Sequence, residues 1–267
     1  MKNFAKLAIG ALALASGGAF AQAPVLPTTG DGSVTLTLFS TQDSTPFSYS
    51  YNLGLTTSQL ASSLPTAAGS TKSWSLTGLA TDLSGFSGTS SLVFDVSGAG
   101  GSGSPAKVAG ADQFATTFDP SVSAATIAAL QNGGVEAALG NNNTWLAAWS
   151  GTANNQFTTN TTASNYANAA YNSAENTWAV NAAGSTSSSL PFYELLTAKG
   201  GASATIEAPV TFAGLFSINL ATDTLTYTVP GSTSPVPLPA GVWLLLSGLA
   251  GMGVFGRRRN DVTGAAA

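Results

Sequence analysis

Apolar and polar residues alternate with a period of two in stretches near both ends of the chain. Residues 34–39 read Val-Thr-Leu-Thr-Leu-Phe, and residues 216–229 alternate similarly on either side of a polar break. This pattern is typical of strands that bury one face. We therefore predict a strand at 34–39 and a β-hairpin with its turn at 221–224. The apolar face of the hairpin consists of Phe216, Ile218, Leu220, Leu225, Tyr227 and Val229.

Looser patterns predict further strands and, in the middle of the chain, helices. The further strands are 47–51, 74–79, 92–96 and 204–213, and the Gly/Ser-rich stretch 98–105 is predicted as a loop. The candidate helices are 121–139, with a break at Gly133 and Gly134, then 144–149 and 160–179. Strands on both sides of helices predict a mainly-β fold, in which one β-sandwich-like domain carries a helical insertion at about 121–183. The alternative is two subdomains divided near 98–104.

The first 21 residues have the pattern of a secretory signal peptide. Lys2 and Lys6 form a basic start, residues 7–15 are apolar, and Ala19 and Ala21 make an A-x-A cleavage site. We predict that the secretion machinery exports the chain and that cleavage follows Ala21.

The other end of the chain predicts a membrane anchor. Residues 241–255 carry no charged side chain, and Arg257, Arg258 and Arg259 follow directly. As a helix, residues 240–256 span about 25 Å, near the short limit for a bilayer core of about 30 Å. Clustered arginines stay on the cytoplasmic side, so we predict that residues 257–267 lie inside and the body, residues 22–230, lies outside.

A short motif stands between the spacer that begins at residue 231 and this anchor. It consists of Val236, Pro237, Leu238, Pro239 and Ala240. Motif, apolar run and arginines together resemble the PEP-CTERM sorting signals of Gram-negative bacteria, in their VPLPA variant, over about a tenth of the chain. The resemblance implies cleavage near the motif by an exosortase, a membrane-embedded transpeptidase-like enzyme. It also implies release or attachment at the cell surface and, for the family as a whole, association with exopolysaccharide or biofilm formation.

Composition narrows the function of the body. Residues 22–239 hold three lysines against eleven acidic residues, a net charge of −8. This balance argues against nucleic-acid binding, which needs a basic surface. Cysteine and histidine are absent, which removes disulfides, thiol and Ser-His-Asp catalysis and essentially all structural zinc sites. We predict no cofactor, no metal and no catalytic residue.

Several side chains nonetheless invite a catalytic interpretation. Asp112 with Asp119, or Glu194 with Glu207, would be the carboxylate pair of a glycan hydrolase. Ser70 and Lys72 would be a Ser-Lys dyad. Eleven acids and many serines produce such pairs by chance, so solvation of the surface is the preferred interpretation.

Two tryptophans suggest glycan binding. Trp145 and Trp149 are four residues apart and would share one helix face. Exposed, they or Trp178 could stack on sugar rings. Packed, the pair would close the insertion against the sheet, which is the preferred interpretation because Trp is highly buried on average.

Together these features predict a non-enzymatic cell-surface or extracellular-matrix protein. Two export signals and an acidic body without histidine or cysteine favour this class. A glycan-binding module is the first alternative, and a carboxylate-dependent glycan hydrolase is the second.

The signal peptide yields the first testable prediction. Ala21→Arg puts a large cation where the cleavage site needs a small residue, so we expect most of the chain to keep residues 1–21. Intact-mass spectrometry of protein from exporting cells separates the two forms. Ala23→Ser, beyond the cut, should be processed as the wild type is. Normal processing of Ala21→Arg would contradict the predicted site.

Overall fold

The computed structural model describes residues 24–26, 31–40, 46–85, 92–101, 109–149, 153–160, 162–163, 166 and 184–231. The chain separates into two units, Met1–Pro230 and Gly231–Ala267, and the fold described here is that of the first. The predicted signal peptide, sorting motif, apolar segment and triple arginine lie outside the described residues. Among the helices within these ranges, none is long and apolar enough to cross a membrane.

Strands dominate the described part of the chain. The strands are β1 (Ser33–Ser40), β2 (Ser48–Thr56), β3 (Thr71–Ser75), β4 (Leu92–Gly100), β5 (Gln113–Thr117), β6 (Asn155–Thr158), β7 (Gly184–Ser185), β8 (Leu190–Leu196), β9 (Val210–Asn219) and β10 (Thr224–Thr228). The helices are α1 (Leu60–Ser63), α2 (Leu79–Leu83), α3 (Ala124–Ala128) and α4 (Asn132–Ala147), and a 3-10 turn, Thr57–Gln59, leads into α1. The predicted mainly-β class is confirmed.

Nine strands form one antiparallel sheet in the order β3-β10-β9-β8-β5-β4-β1-β2-β6, and β7 pairs with β4. The sheet is continuous, so the layers of the predicted sandwich are two parts of one curled sheet. The curl brings the β3 side of the sheet to its β2 and β6 side. Trp74 Nε1 on β3 donates to the Leu53 carbonyl on β2 at 3.0 Å. Just beyond β3, the Thr77 carbonyl accepts from Tyr49 Oη at 3.1 Å and from Asn155 Nδ2 at 3.0 Å.

The curl encloses an apolar and aromatic core. Phe216 is fully buried, and its ring centroid lies 6.0 Å from Trp74, 5.1 Å from Phe192 and 5.0 Å from Tyr227. Strands from the other half of the sheet supply further buried side chains to the same core: Val34, Leu36, Leu38, Phe47, Tyr49, Phe94 and Val96. The alternating residues that predicted the first strand are therefore its inward face.

The predicted hairpin is confirmed as β9 and β10. Tyr227 pairs with Phe216 and Thr224 with Asn219, so the turn occupies residues 220–223, one position earlier than predicted. Asp223 adopts a positive φ of 49° there, which Asp tolerates better than most residues. Of the predicted apolar face, Leu220 is half-buried and the others are buried.

The predicted helical insertion is correct for α3 and α4 and wrong in extent. Residues 155–158 form β6 at the edge of the sheet, and the candidate helix 160–179 falls largely outside the described residues. The predicted break at Gly133 and Gly134 lies instead at 129–131, and both glycines are in the first turn of α4. A glycine at 133 allows close packing, because a Cβ there would lie 3.2 Å from both the Cβ and the carbonyl oxygen of Ala202. The Gly133 N–H donates to the Ala202 carbonyl at 2.8 Å.

A second core lies between these helices and the sheet. Its buried members are Ala99, Phe114, Phe118, Ile127, Val135, Ala138, Leu139, Leu195 and Ile206. They come from β4, β5 and β8 on one side and from α3, α4 and the 197–209 connection on the other. The middle of the sheet is therefore covered on both faces.

Several strand predictions need correction. Of the predicted strand 204–213, only residues 210–213 lie in a strand, at the start of β9. Strands β5 and β8 were not predicted from the sequence. Both faces of these strands are covered, so apolar and polar residues alternate little along them. β4 continues to Gly100, through residues predicted as a loop. Gly98 is there for close packing, because a Cβ would lie 2.9 Å from Val34 Cγ2 and 3.2 Å from the Ser33 carbonyl. β3 ends at Ser75, short of residue 79, because the left-handed Gly78 (φ 84°) turns the chain into α2.

The aromatic core generates the second prediction. Phe216→Ala removes a buried ring that three other aromatics contact, so we expect a loss of about 3–5 kcal/mol in the free energy of unfolding. Urea unfolding of the full-length protein, followed by tryptophan fluorescence, measures it. The matched control is Leu215→Ala on the other face of the same strand, for which we expect roughly 1 kcal/mol. Equal losses in the two variants would contradict the assigned inward face.

Candidate functional site

The two tryptophans proposed as sugar platforms are buried. Trp145 is 2 % and Trp149 9 % exposed, and their rings meet edge to face with centroids 5.6 Å apart. Trp149 Nε1 donates to the Ala153 carbonyl at 3.2 Å, and Leu26 packs on the pair. In this arrangement neither ring offers an open face to a sugar. Trp178 lies outside the described residues.

The first carboxylate pair does not converge. Asp112 is fully buried just before β5, beside Gly101, whereas Asp119 follows β5 and accepts from the N–H and Oγ of Ser121. Seven residues of extended chain span about 23 Å, well beyond the 5–10 Å between the carboxyls of a glycosidase. Within the described ranges, no group of three or more acidic side chains is placed to hold a metal ion.

The residues of the second pair, Glu194 and Glu207, lie on neighbouring segments of the chain. Glu194 is half-buried on β8, and burial raises its pKa above the ordinary value. Glu207 is exposed, and its N–H donates at 2.9 Å to the carbonyl of Leu196, two residues along from Glu194. The surface groove described below is lined by other residues, so neither acid faces a ligand there.

Ser70 and Lys72 each have a separate backbone acceptor. Ser70 Oγ donates to the Ala67 carbonyl. Lys72 Nζ donates to the Ser63 carbonyl at 3.2 Å and lies 5.3 Å from the centre of the Trp74 ring, while burial lowers its pKa. The contacts of Lys72 join β3 to α1. The Ser70 hydroxyl donates to a backbone carbonyl and not to the lysine, so the two residues do not form a dyad.

One polar cluster that the sequence analysis missed surrounds Asp31. Its carboxylate accepts from Thr56 Oγ1 at 2.6 Å, Thr57 Oγ1 at 2.8 Å, and Ser58 N and Oγ at 2.9 and 2.5 Å. Burial alone would raise the pKa of this carboxyl, but the hydrogen bonds from Ser58, Thr56 and Thr57 outweigh it and lower the pKa. Gln113 Nε2 donates to Thr57 Oγ1 at 2.7 Å. The cluster therefore caps the 3-10 turn and joins the chain before β1 to β2 and β5.

A second missed group lies within the sheet. Asp95 on β4 is fully buried, pairs in register with Thr37, and accepts from Thr116 Oγ1 at 3.0 Å and Thr117 Oγ1 at 2.5 Å. A buried carboxylate is tolerated only where such donors surround it. Together with Thr35, Ser50 and Ser97 these residues make a buried polar row across four strands. Its hydrogen bonds favour one register among β1, β4 and β5.

The described surface also carries one shallow groove of about 480 Å³. It lies where the turn after β7 meets the β9–β10 hairpin. Its lining residues are Thr186, Ser187, Ser217, Ile218, Asn219, Leu220 and Thr226. Hydroxyl and amide groups therefore line it beside the half-buried Leu220, whereas the Ile218 side chain belongs to the core. Among the residues that the structure describes, no charged side chain lines it. This arrangement can bind a polar, uncharged ligand but supplies no acid, base or nucleophile with a perturbed pKa.

Comparison with protein-family models, characterised proteins and solved structures found no match for this chain. Its function is therefore inferred from the tail motif and from the surface of the body.

The sequence contained a signal for the groove. The residues between the apolar positions of the hairpin are Ser217, Asn219, Thr224, Thr226 and Thr228. Period two places them together on the outward face. What it could not reveal is the turn at Thr186 and Ser187, because that turn meets the hairpin only through tertiary contacts.

Asp31 generates the third prediction. Its folded-state pKa lies below the unfolded value near 3.9, so its stabilising effect is complete above about pH 4 and disappears as pH falls through the folded pKa. Asp31→Asn removes the charge and puts a donor in place of one of the two accepting oxygens, so it should lower the free energy of unfolding by about 1 kcal/mol at pH 7. Thermal melts from pH 7 to pH 2.5 should show the difference from wild type shrinking below pH 4. The exposed Glu207→Gln serves as control. A difference independent of pH would contradict the role of the carboxylate charge.

Proposed function

We propose that this protein is an exported cell-surface or extracellular-matrix protein that an exosortase-type enzyme processes at its VPLPA-type tail. The observation that carries the proposal is the order of motif, apolar run and triple arginine within residues 236–259. Each part has its own physical task. The prolines favour an extended chain before the membrane. The apolar run is long enough to span the bilayer core, and the arginines keep the C-terminus on the cytoplasmic side.

On this proposal the protein passes through an inner-membrane intermediate. Its body lies outside and its C-terminus lies in the cytoplasm until cleavage near residues 236–240. Cleavage removes every arginine of the protein and, together with removal of the signal peptide, leaves a body of net charge −8. The working protein is then the body alone, at the surface or in the matrix of a Gram-negative cell, in association with exopolysaccharide.

Two features of the body support a structural role outside the cell. The aromatic core around Phe216 and the second core under α4 stabilise a chain that contains no cysteine, so folding needs no oxidation step. The outward faces of β3, β9 and β10 carry Ser, Thr and Asn side chains. A hydroxyl-rich, nearly uncharged surface suits a hydrated polysaccharide matrix.

The sorting tail generates the fourth prediction. Replacing Pro237 and Pro239 with Ala should leave an unprocessed, membrane-bound form, because the motif that the enzyme recognises is lost. Pulse-labelling with fractionation measures processing, and cells without the sorting enzyme provide the reference. Pro235→Ala, just before the motif, is the matched control and should be processed normally. If the tail stays on and surface display is the same with and without the enzyme, the proposal is wrong.

A further inference from the structure

The outward face of the hairpin continues onto β3 as a regular array of hydroxyl and amide groups. The register aligns Ser75, Thr224 and Asn219 in one row across the three strands, and Ser73, Thr226 and Ser217 in the next. Within the second row, Ser73 Oγ and Thr226 Oγ1 are 3.3 Å apart. Neighbouring strands are about 4.8 Å apart, so an extended ligand lying across them meets polar groups at each strand.

The groove lies at the β9 end of these rows, and the side-chain amide of Asn219 is fixed there by two hydrogen bonds. Its Oδ1 accepts from the Ala221 N–H at 3.0 Å and from the Thr222 N–H at 3.2 Å. These bonds hold the side-chain amide in place and leave the Nδ2 donors facing away from the turn. Ser217, Thr226 and Thr186 add hydroxyls that both donate and accept, beside the half-buried Leu220.

The chemistry of this surface selects the ligand. Fixed donors and adaptable hydroxyls match a polyol, and the half-buried Leu220 side chain matches the C–H face of a sugar ring. No charged residue in the described part of the chain lines the groove, and the acidic body repels polyanions. The groove is shallow and open at the surface, unlike a cleft that surrounds most of a small molecule. An extended, uncharged polymer therefore fits it better than a monosaccharide or an anionic glycan.

We propose that the groove at Thr186, Ser217, Asn219 and Thr226 binds a neutral polysaccharide. The proposed function supplies the place where the protein encounters such a polymer, outside the cell. The binding itself depends only on residues of the body. The contacts are few and exposed to water, so single-chain affinity is weak, and many copies in a matrix supply avidity.

Affinity electrophoresis of the full-length protein in mild detergent tests the proposal. The gels contain hydroxyethylcellulose or dextran as neutral probes and alginate as the anionic probe. We expect at least one neutral polymer to retard the wild type and alginate to leave it unretarded. Asn219→Asp should weaken binding by roughly tenfold, because it removes the donors and adds a negative charge. An Asp oxygen still accepts from the turn N–H groups, so the fold is retained. Thr226→Val should weaken binding by about threefold to tenfold.

Thr211→Val, exposed on the same strand β9 but outside the groove, is the matched control and should bind as the wild type does. Circular dichroism melts verify that every variant is folded. The proposal is overturned if no neutral polymer retards the wild type, if alginate retards it more, or if Asn219→Asp binds unchanged. Groove variants should still be sorted normally. A wild type that binds but is not processed would refute the sorting proposal and leave the groove proposal standing.

Discussion

Closure of the curled sheet is the constraint on which the rest of the body depends. The hydrogen bond from the Trp74 indole to the Leu53 carbonyl joins β3 to β2, strands that stand seven positions apart in the sheet. Only when these strands approach can Trp74 and Phe216 share a core with Leu36 and Phe94. An open nine-stranded sheet would expose that core to water, which would cost roughly 1.5–3 kcal/mol for each large apolar side chain.

Closure divides the sheet into regions with different tasks. The middle strands β4, β5 and β8 are covered on both faces, by the aromatic core inside and by α3 and α4 outside. Such burial demands internal partners for polar groups, and Thr116 and Thr117 both donate to Asp95 Oδ1 there. The hairpin strands lie outside the helical cover, so their outward hydroxyls face solvent. The same fold that hides the acids of the middle strands thus presents an uncharged polar face on β9 and β10.

Local pattern predicted some elements well and others poorly, for a physical reason. The β9–β10 hairpin was predictable because one of its faces is exposed to solvent and the other is buried, which produces a period-two pattern in the sequence. β5 and β8 were not predictable, because both of their faces are covered. Side chains such as Phe114 and Leu195 pack under the helices, and their neighbours along the strand face other parts of the protein. Gly98 was predicted to lie in a loop. In the structure it packs closely against Val34, where a side chain would not fit. Trp145 and Trp149 were predicted to share a helix face, and their burial agrees with the packed interpretation.

The sequence by itself determined the acidic charge, the absence of cysteine and histidine and the apolar face of the hairpin, and it predicted the export and sorting signals. These are properties of residue type and local spacing, which need no partner. Only the tertiary structure decided that the sheet curls onto itself, that Asp112 and Asp119 stay apart, and that Thr186 and Asn219 line the same groove. Such contacts join residues distant in the chain, as Ser73 and Thr226 are at 153 positions apart. Their energy comes from burial and hydrogen bonds that form only once the whole sheet has closed.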